Sequence, residues 1–302
     1  MTNEAYHTTV LLHEAIEALD INPNGVYVDV TFGGGGHSFE ILQQLDKGRL
    51  IAFDQDADAK PNLIDDPRLT FIPQNFRFVK NFLAFAGVKE VTGILADLGV
   101  SGHQFDDGDR GFSFKADAPL DMRMNTSQPV SAKELIAGKT IEELATILRV
   151  NGDVKKAFPT AKAILAALAD EAMNTTGDLK NAIEPIAPKF KEHKFFAQVF
   201  QALRIEVNDE LGALKDLLNQ STELITPGGR LVMISYHSLE DRLVKNFLRS
   251  GSFDSEQTKD FYGNLIRPFT PLSGKAVAPS EKEIEFNPRA RSARMRTGVR
   301  NG

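Results

Sequence analysis

Residues 26–45 constrain this chain more than any other stretch. A short, mostly apolar run, Val26, Tyr27, Val28, Asp29 and Val30, leads through Thr31 and Phe32 into Gly33-Gly34-Gly35-Gly36, and Phe39, Ile41, Leu42 and Leu45 follow at helical spacing. That order predicts a strand, a tight turn and a helix. Glycine has no Cβ and tolerates positive φ, so a ligand can approach the backbone there. The helix behind it aims unpaired N–H groups at the same point. This is the nucleotide-binding turn of an open α/β sheet, and the rest of the chain has to supply the parallel strands around it.

The turn narrows the choice of nucleotide. A phosphate-binding P-loop needs Lys-Ser/Thr after its last glycine, where this chain has His37-Ser38. Gly33-x-Gly35 is followed by Ser38, so the third glycine of the dinucleotide fingerprint is missing. What remains is Asp29, four residues before Gly33, an arrangement that resembles motif I of the class I methyltransferases, which bind S-adenosylmethionine. Asp54, 19 residues after Gly35, closes a second apolar run, where a carboxylate can accept both ribose hydroxyls. The same acid suits NAD equally well, so it identifies an adenosine and leaves the chemistry open.

Further strands are expected at 48–54, 69–72 and 93–97, the first and last ending in an acid, and alternation with helices argues a parallel, doubly wound sheet. From about 105 to 225 no strand is convincing. Ser131-x-x-Glu134 and Thr140-x-x-Glu143 read as capping boxes, and one long helix is expected over 194–224. Residues 106–196 therefore read as a helical insertion into a sheet domain formed by 1–105 and 197–302, and the sheet resumes at 227–236. Residues 251–282 look loop-rich. The last segment carries Arg289, Arg291, Arg294, Arg296 and Arg300. It reads either as phosphate contacts or, because arginines alternate with Ala293, Met295 and Thr297, as part of an edge strand with an arginine outer face.

Composition excludes several classes. The 302 residues contain no cysteine, which removes disulfides and cysteine-based metal or redox sites. The net charge is −6, so any contact with nucleic acid must use a local basic patch. No run approaches the roughly 20 apolar residues of a membrane span, no signal peptide is evident, and a cytoplasmic location is expected.

Asp97 ends the fourth strand, where an open α/β sheet places its ligand. His237 follows the fifth strand and reads either as a proton-handling group or as a helix N-terminal residue with Ser238 as the cap. No G-x-S-x-G elbow supports a hydrolase. Asp106, Asp107 and Asp109 lack EF-hand spacing, the histidines lack metal spacing, and no metal site is expected.

Together the motifs resemble the MraW/RsmH-type methyltransferases of bacterial small-subunit ribosomal RNA. They run nearly end to end: HTTVLL at 7–12, TFGGGGHS at 31–38, DLGVS at 97–101, RGFSF at 110–114, PLDMRM at 119–124, QALRIEVN at 201–208, SYHSLEDR at 235–242 and NPRARS at 287–292. The resemblance implies a class I methyltransferase fold (a Rossmann-like doubly wound sheet) with a helical insertion that recognises RNA. It implies transfer of methyl from S-adenosylmethionine to the exocyclic N4 of a cytidine in the decoding region of 16S ribosomal RNA, within the small ribosomal subunit, by a monomer or homodimer. It further implies that Gly33, Gly35, Gly36 and His37 line the cofactor, Asp54 holds its ribose, Phe76 flanks its adenine, and Asp97 and Gln104 complete the site. Asp97 is expected to orient the amine, with Ser101 or His237 assisting. Two alternatives stand beside this reading: an NAD-dependent oxidoreductase, and a non-catalytic ribosome-assembly factor with a vestigial pocket.

Overall fold

A computed structural model describes residues 9–106 and 108–302. In chain order its main elements are α1 (Leu12–Leu19), β1 (Val26–Asp29), α2 (Gly36–Gln44), β2 (Arg49–Phe53), β3 (Leu69–Ile72), α3 (Val79–Phe85), β4 (Val91–Asp97), α4 (Gly102–Asp106), α5 (Ala132–Ala137), α6 (Ile141–Gly152), α7 (Ala157–Ala169), α8 (Thr176–Ile183), α9 (Glu192–Asn208), α10 (Glu210–Leu224), β5 (Ile225–Ser235), α11 (Ser238–Ser250), β6 (Phe269–Pro271), α12 (Glu281–Phe286) and β7 (Arg294–Arg300). They form two compact units, Met1–Gly99 with Leu211–Gly302, and Val100–Glu210.

The first unit holds one seven-stranded sheet in the order β3-β2-β1-β4-β5-β7-β6. β1 to β5 pair in parallel, and β7 runs antiparallel between β5 and β6. Successive residues of a strand point to opposite faces, and the two cores divide accordingly. Val28, Ile51, Ile94 and Leu231 join Leu214, Leu217 and Val244 on one face. Tyr27, Leu50, Leu95 and Val232 join Ala15, Ile16 and Ile41 on the other. Each central strand is buried on both faces, which is why these runs read as continuously apolar. Chain order reverses between β1 and β4, so the ligand crevice of such a sheet lies beyond the C-terminal ends of these two strands.

The second unit is helical, and its core includes Leu120, Ile136, Leu144, Leu148, Ile164, Leu179, Val199 and Leu203. The two expected capping boxes are present at Ser131/Glu134 and Thr140/Glu143, and a third stands at Thr175/Asp178. This unit is wider than residues 106–196 because it takes in 100–105 and all of α9.

Three expectations from sequence change. The single helix over 194–224 is two, broken at Asp209, whose φ of 46° is left-handed. Aspartate is one of the few non-glycine residues that visits this region readily, so the apolar stripe continues through the break without a glycine or proline to mark it. The arginine-bearing strand β7 lies inside the sheet, and β6 takes the edge instead. β6 itself falls within residues 251–282, where three residues ending in Pro271 gave no strand pattern. His7, Thr8 and Asp107 lie outside the described residues.

Phe269 anchors β6: it is fully buried and its ring sits 6.2 Å from that of Phe247. Phe269→Ala is expected to lower unfolding free energy by about 3–5 kcal/mol with little change in m-value. Urea denaturation checks this; an unaltered midpoint would mean that the edge strand is not part of the cooperative core.

Candidate active site

The geometry begins at Asp29, the last residue of β1, which is fully buried. One carboxylate oxygen accepts the Thr31 N–H at 3.1 Å and the Thr31 hydroxyl at 3.4 Å. The other accepts the Ser38 hydroxyl from the first turn of α2 at 2.7 Å. Burial pushes the Asp29 pKa up, and these hydrogen bonds oppose the shift. The Thr31 oxygen in turn accepts the Asp97 N–H at 2.6 Å. One buried acid thus ties the ends of β1 and β4 to the start of α2.

Between them lies the glycine turn. Gly33 and Gly35 have φ of 50° and 79°, a region that favours glycine. A side chain on Gly36 would collide with the Thr9 hydroxyl, whereas no described residue comes within 4 Å of where a Cβ on Gly34 would be. Gly35 caps α2 and has no side chain with which to bond the first N–H groups of the helix. Asp54, just beyond β2, accepts the Gly33 N–H and the Asp56 N–H, both at 2.8 Å. It therefore holds the turn, and each oxygen keeps a further lone pair for a ribose hydroxyl. Burial lifts its pKa to about 6 against those two bonds.

His37 is buried on the first turn of α2. Burial lowers its pKa to about 4, against an opposing backbone hydrogen bond at Val10, so the ring is neutral at pH 7. Its Nδ1 is 4.0 Å from an Asp97 carboxylate oxygen; with a neutral ring this is a polar contact rather than an ion pair. Its Nε2 has no hydrogen-bond partner among the described residues.

Asp97 sits at the end of β4 with its side chain 21% exposed. Burial raises its pKa to about 7; a hydrogen bond from Tyr236 opposes this, and the negative charges of Asp29 and Glu240 reinforce it. The Tyr236 hydroxyl donates at 2.8 Å. Burial, followed by the charge of Asp97, holds the tyrosine pKa well above its ordinary value, so the proton stays on the phenol. In the sequence Tyr236 stands within SYHSLEDR with no role of its own. A tyrosine directly after β5, the neighbour of β4, was the available signal.

The other expected residues are placed differently. His237 is itself the N-cap of α11, one position before the Ser238 that the sequence suggested. Its Nδ1 accepts the Glu240 N–H at 3.4 Å, while the Glu240 carboxylate takes the Tyr236 and His237 N–H groups. Ser101 and Gln104 belong to the second unit, where each accepts the other's backbone N–H at the start of α4. Phe76 opens a short 3-10 turn and packs partly buried against the core of the first unit.

The turn fits S-adenosylmethionine on three observations: an open glycine backbone, a buried carboxylate that grips the turn from the end of β2, and a buried imidazole nitrogen with no partner among the described residues. Sheet order and cradle together define a class I, S-adenosylmethionine-dependent methyltransferase. The profile of the MraW methylase family matches residues 4–300, and the chain belongs to that family. It is 51% identical over 296 residues to ribosomal RNA small subunit methyltransferase H of Parabacteroides distasonis, covering 97% of each chain. It is 52% identical over 297 residues to the protein of that name from Cytophaga hutchinsonii, covering 98% of this chain and 99% of the other. It is 50% identical over 300 residues to that of Amoebophilus asiaticus, covering 99% and 97%. Membership in a methylase family overturns the oxidoreductase alternative.

A carboxyl pKa raised on folding means that the folded state binds the proton more tightly than the unfolded one, so the group lowers stability as pH rises from about 4 to about 7. Asp97→Asn keeps an acceptor for Tyr236 and removes the charge. It is expected to stabilise the cofactor-free protein by on the order of 2–4 kcal/mol at pH 8, with the gain shrinking steadily toward pH 5. Urea unfolding at several pH values measures this, and a difference independent of pH would contradict the assignment.

Proposed function

We propose that the protein methylates the exocyclic N4 of a cytidine in the decoding region of small-subunit (16S) ribosomal RNA, acting on the small ribosomal subunit in the bacterial cytoplasm. The observation that carries this reading is Asp97: a partly exposed carboxylate with one oxygen held by Tyr236 and the other without a hydrogen-bond donor among the described residues. The names of the 49–52% identical relatives supply the substrate class. No helix among the described residues is long and apolar enough to cross a membrane.

When bound, S-adenosylmethionine supplies an electrophilic methyl group. Gly35, Gly36 and His37 would line its methionine end beside Gly33, with Asp54 at its ribose and Phe76 at its adenine edge. The chain's own task is to make a poor nucleophile react. The cytosine N4 lone pair is delocalised into the ring, and an N4–H donated to the free Asp97 oxygen returns electron density to nitrogen. Tyr236 fixes the carboxylate so that this oxygen points one way, and positioning of this kind supplies much of a rate enhancement. As the amine loses its proton, Asp97, with a pKa near 7, is matched to take it. Neutral His37 borders the acid without neutralising it. Ser101 and His237 act as helix caps that fix the backbone after β4 and β5. The target base has to leave its stack to reach such a pocket, and we assign that work to the helical unit.

Single-turnover transfer of labelled methyl to small subunits tests the reading. The rate should rise with pH through about 7, because the carboxylate form is the active one. Tyr236→Phe removes a hydrogen bond that stabilises this form, so the limb should move to higher pH. Asp97→Asn should lose about 10²–10⁴-fold in rate while calorimetry still detects the cofactor. An undiminished rate in Asp97→Asn would remove the acid from the mechanism. No transfer by a wild type that binds cofactor would favour a non-catalytic assembly factor.

A further inference from the structure

We propose that the face built by α11, β6 and β7 is a second RNA-binding site, distinct from the cofactor turn: a cationic groove for the phosphodiester backbone of a single strand, with an aromatic tip on which one of its bases stacks. The proposal rests on the ribosomal RNA reading above and adds a place on the sheet unit where the RNA is held.

A groove of about 420 Å³ lies there, its cationic lining made by Lys245 and Arg249 of α11, Arg267 and Arg296. No aspartate or glutamate among the described residues lines it, although the chain as a whole carries a net charge of −6. Arg296 is committed to Asp241 through bonds of 2.7 and 3.0 Å. Lys245, Arg249 and Arg267 have no ion-pair partner among the described residues. Lys245 and Arg249 are also four residues apart on one helix face, where like charges repel. Solvated charges on a surface helix are common. Here, cations from a helix, a loop and a strand converge on one concave surface, which is what a polyanion recognises.

The loop that supplies Arg267 also carries the tip. Lys259 pairs with Leu265, and the Ile266 N–H donates to the Thr258 carbonyl at 2.8 Å. The Asp260 carboxylate accepts the N–H groups of Tyr262 and Asn264 at 2.9 and 2.8 Å and the Asn264 amide at 3.0 Å. Gly263 closes the turn with φ 86°. This tight frame holds Phe261 and Tyr262 outward, 97% and 86% exposed, with their rings edge to face at 5.6 Å. Two adjacent aromatics held in water by an ordered turn forgo apolar burial, and a basic groove one residue past the turn gives them a partner of matching chemistry. A cationic track with stacking aromatics beside it is the composition of single-strand binding surfaces.

Its position suits the reaction. Arg296 is two residues along β7 from Arg294, which pairs with Ser235 at the C-terminal end of β5, so it lies about 7 Å from the strand ends. Lys245 lies seven residues into α11, about 10 Å from the same end. A strand whose target base is turned out toward Asp97 can therefore run on into the groove. Two of the terminal arginines are engaged within the protein: Arg296 pairs with Asp241, and Arg300 donates to the carbonyls of Thr222 and Pro268.

The test uses the full chain loaded with S-adenosylhomocysteine, titrated with a single-stranded RNA of about 20 nucleotides at several salt concentrations. Methylation kinetics on small subunits run in parallel. Lys245→Glu with Arg249→Glu should weaken RNA binding at least tenfold and reduce the log–log salt slope by about 1.4, at roughly 0.7 per phosphate contact. Phe261→Ala with Tyr262→Ala should weaken it by about tenfold or more and leave the slope unchanged. On small subunits both double variants should raise KM with kcat within about twofold, since neither touches the site of chemistry. Wild-type RNA affinity and slope in both variants would overturn the proposal, as would a wild type that binds no RNA. So would a KM effect on subunits without any effect on naked RNA, which would mark a contact with ribosomal protein. A wild type that binds the RNA, with the variants weakened as stated, yet methylates no subunits would support the groove and overturn the proposed activity.

Discussion

The buried carboxylate of Asp29 is the constraint on which the site depends. It accepts three hydrogen bonds from Thr31 and Ser38, and Thr31 passes the constraint to the Asp97 backbone. A carboxylate taken out of water is costly unless its oxygens are satisfied, and here they are satisfied by the groups that have to be fixed relative to one another. Asp54 repeats the device one strand away by holding the Gly33 N–H. The glycine turn, which has no side chains of its own to hold it, takes its shape from two acids at the ends of neighbouring strands.

Those acids also set the electrostatics. Asp29, Asp54 and Asp97 all have pKa values raised first by burial, and the charge of Asp29 pushes the other two further. His37, which could have neutralised Asp97, is itself kept uncharged by burial. A crevice of this kind disfavours further negative charge and favours a ligand that brings a positive one, as a sulfonium does. The same arrangement costs the free protein stability at neutral pH, a common exchange at functional sites.

Much of this was legible in the chain because it rests on local rules. The strand–glycine–helix turn, the acids that close successive strands and the Ser131 and Thr140 capping boxes all follow from spacing. Other features depend on contacts that spacing does not encode. The break at Asp209 needs only one residue in the left-handed region, and the apolar stripe passes through it unchanged. β6 is short, and its strand character comes from pairing with β7 rather than from its own pattern. The arginines of β7 alternate as if facing solvent, yet Arg296 is drawn in by Asp241 and Arg300 by backbone carbonyls. Tyr236 was visible as a residue and acquired a role only when β4 and β5 were adjacent. His237, which reads either as a proton-handling group or as a helix N-terminal residue, is the N-cap of α11.

The chemistry proposed for Asp97 makes a definite statement about the product, because an acceptor for an exocyclic amine would serve nitrogen and neither a ring carbon nor a ribose hydroxyl. The most direct measurement is mass spectrometry of nucleosides from small-subunit RNA after incubation with the purified protein and isotopically labelled S-adenosylmethionine. The expected result is label in N4-methylcytidine at a single site. Label in 5-methylcytidine or in a ribose-methylated nucleoside would contradict the account.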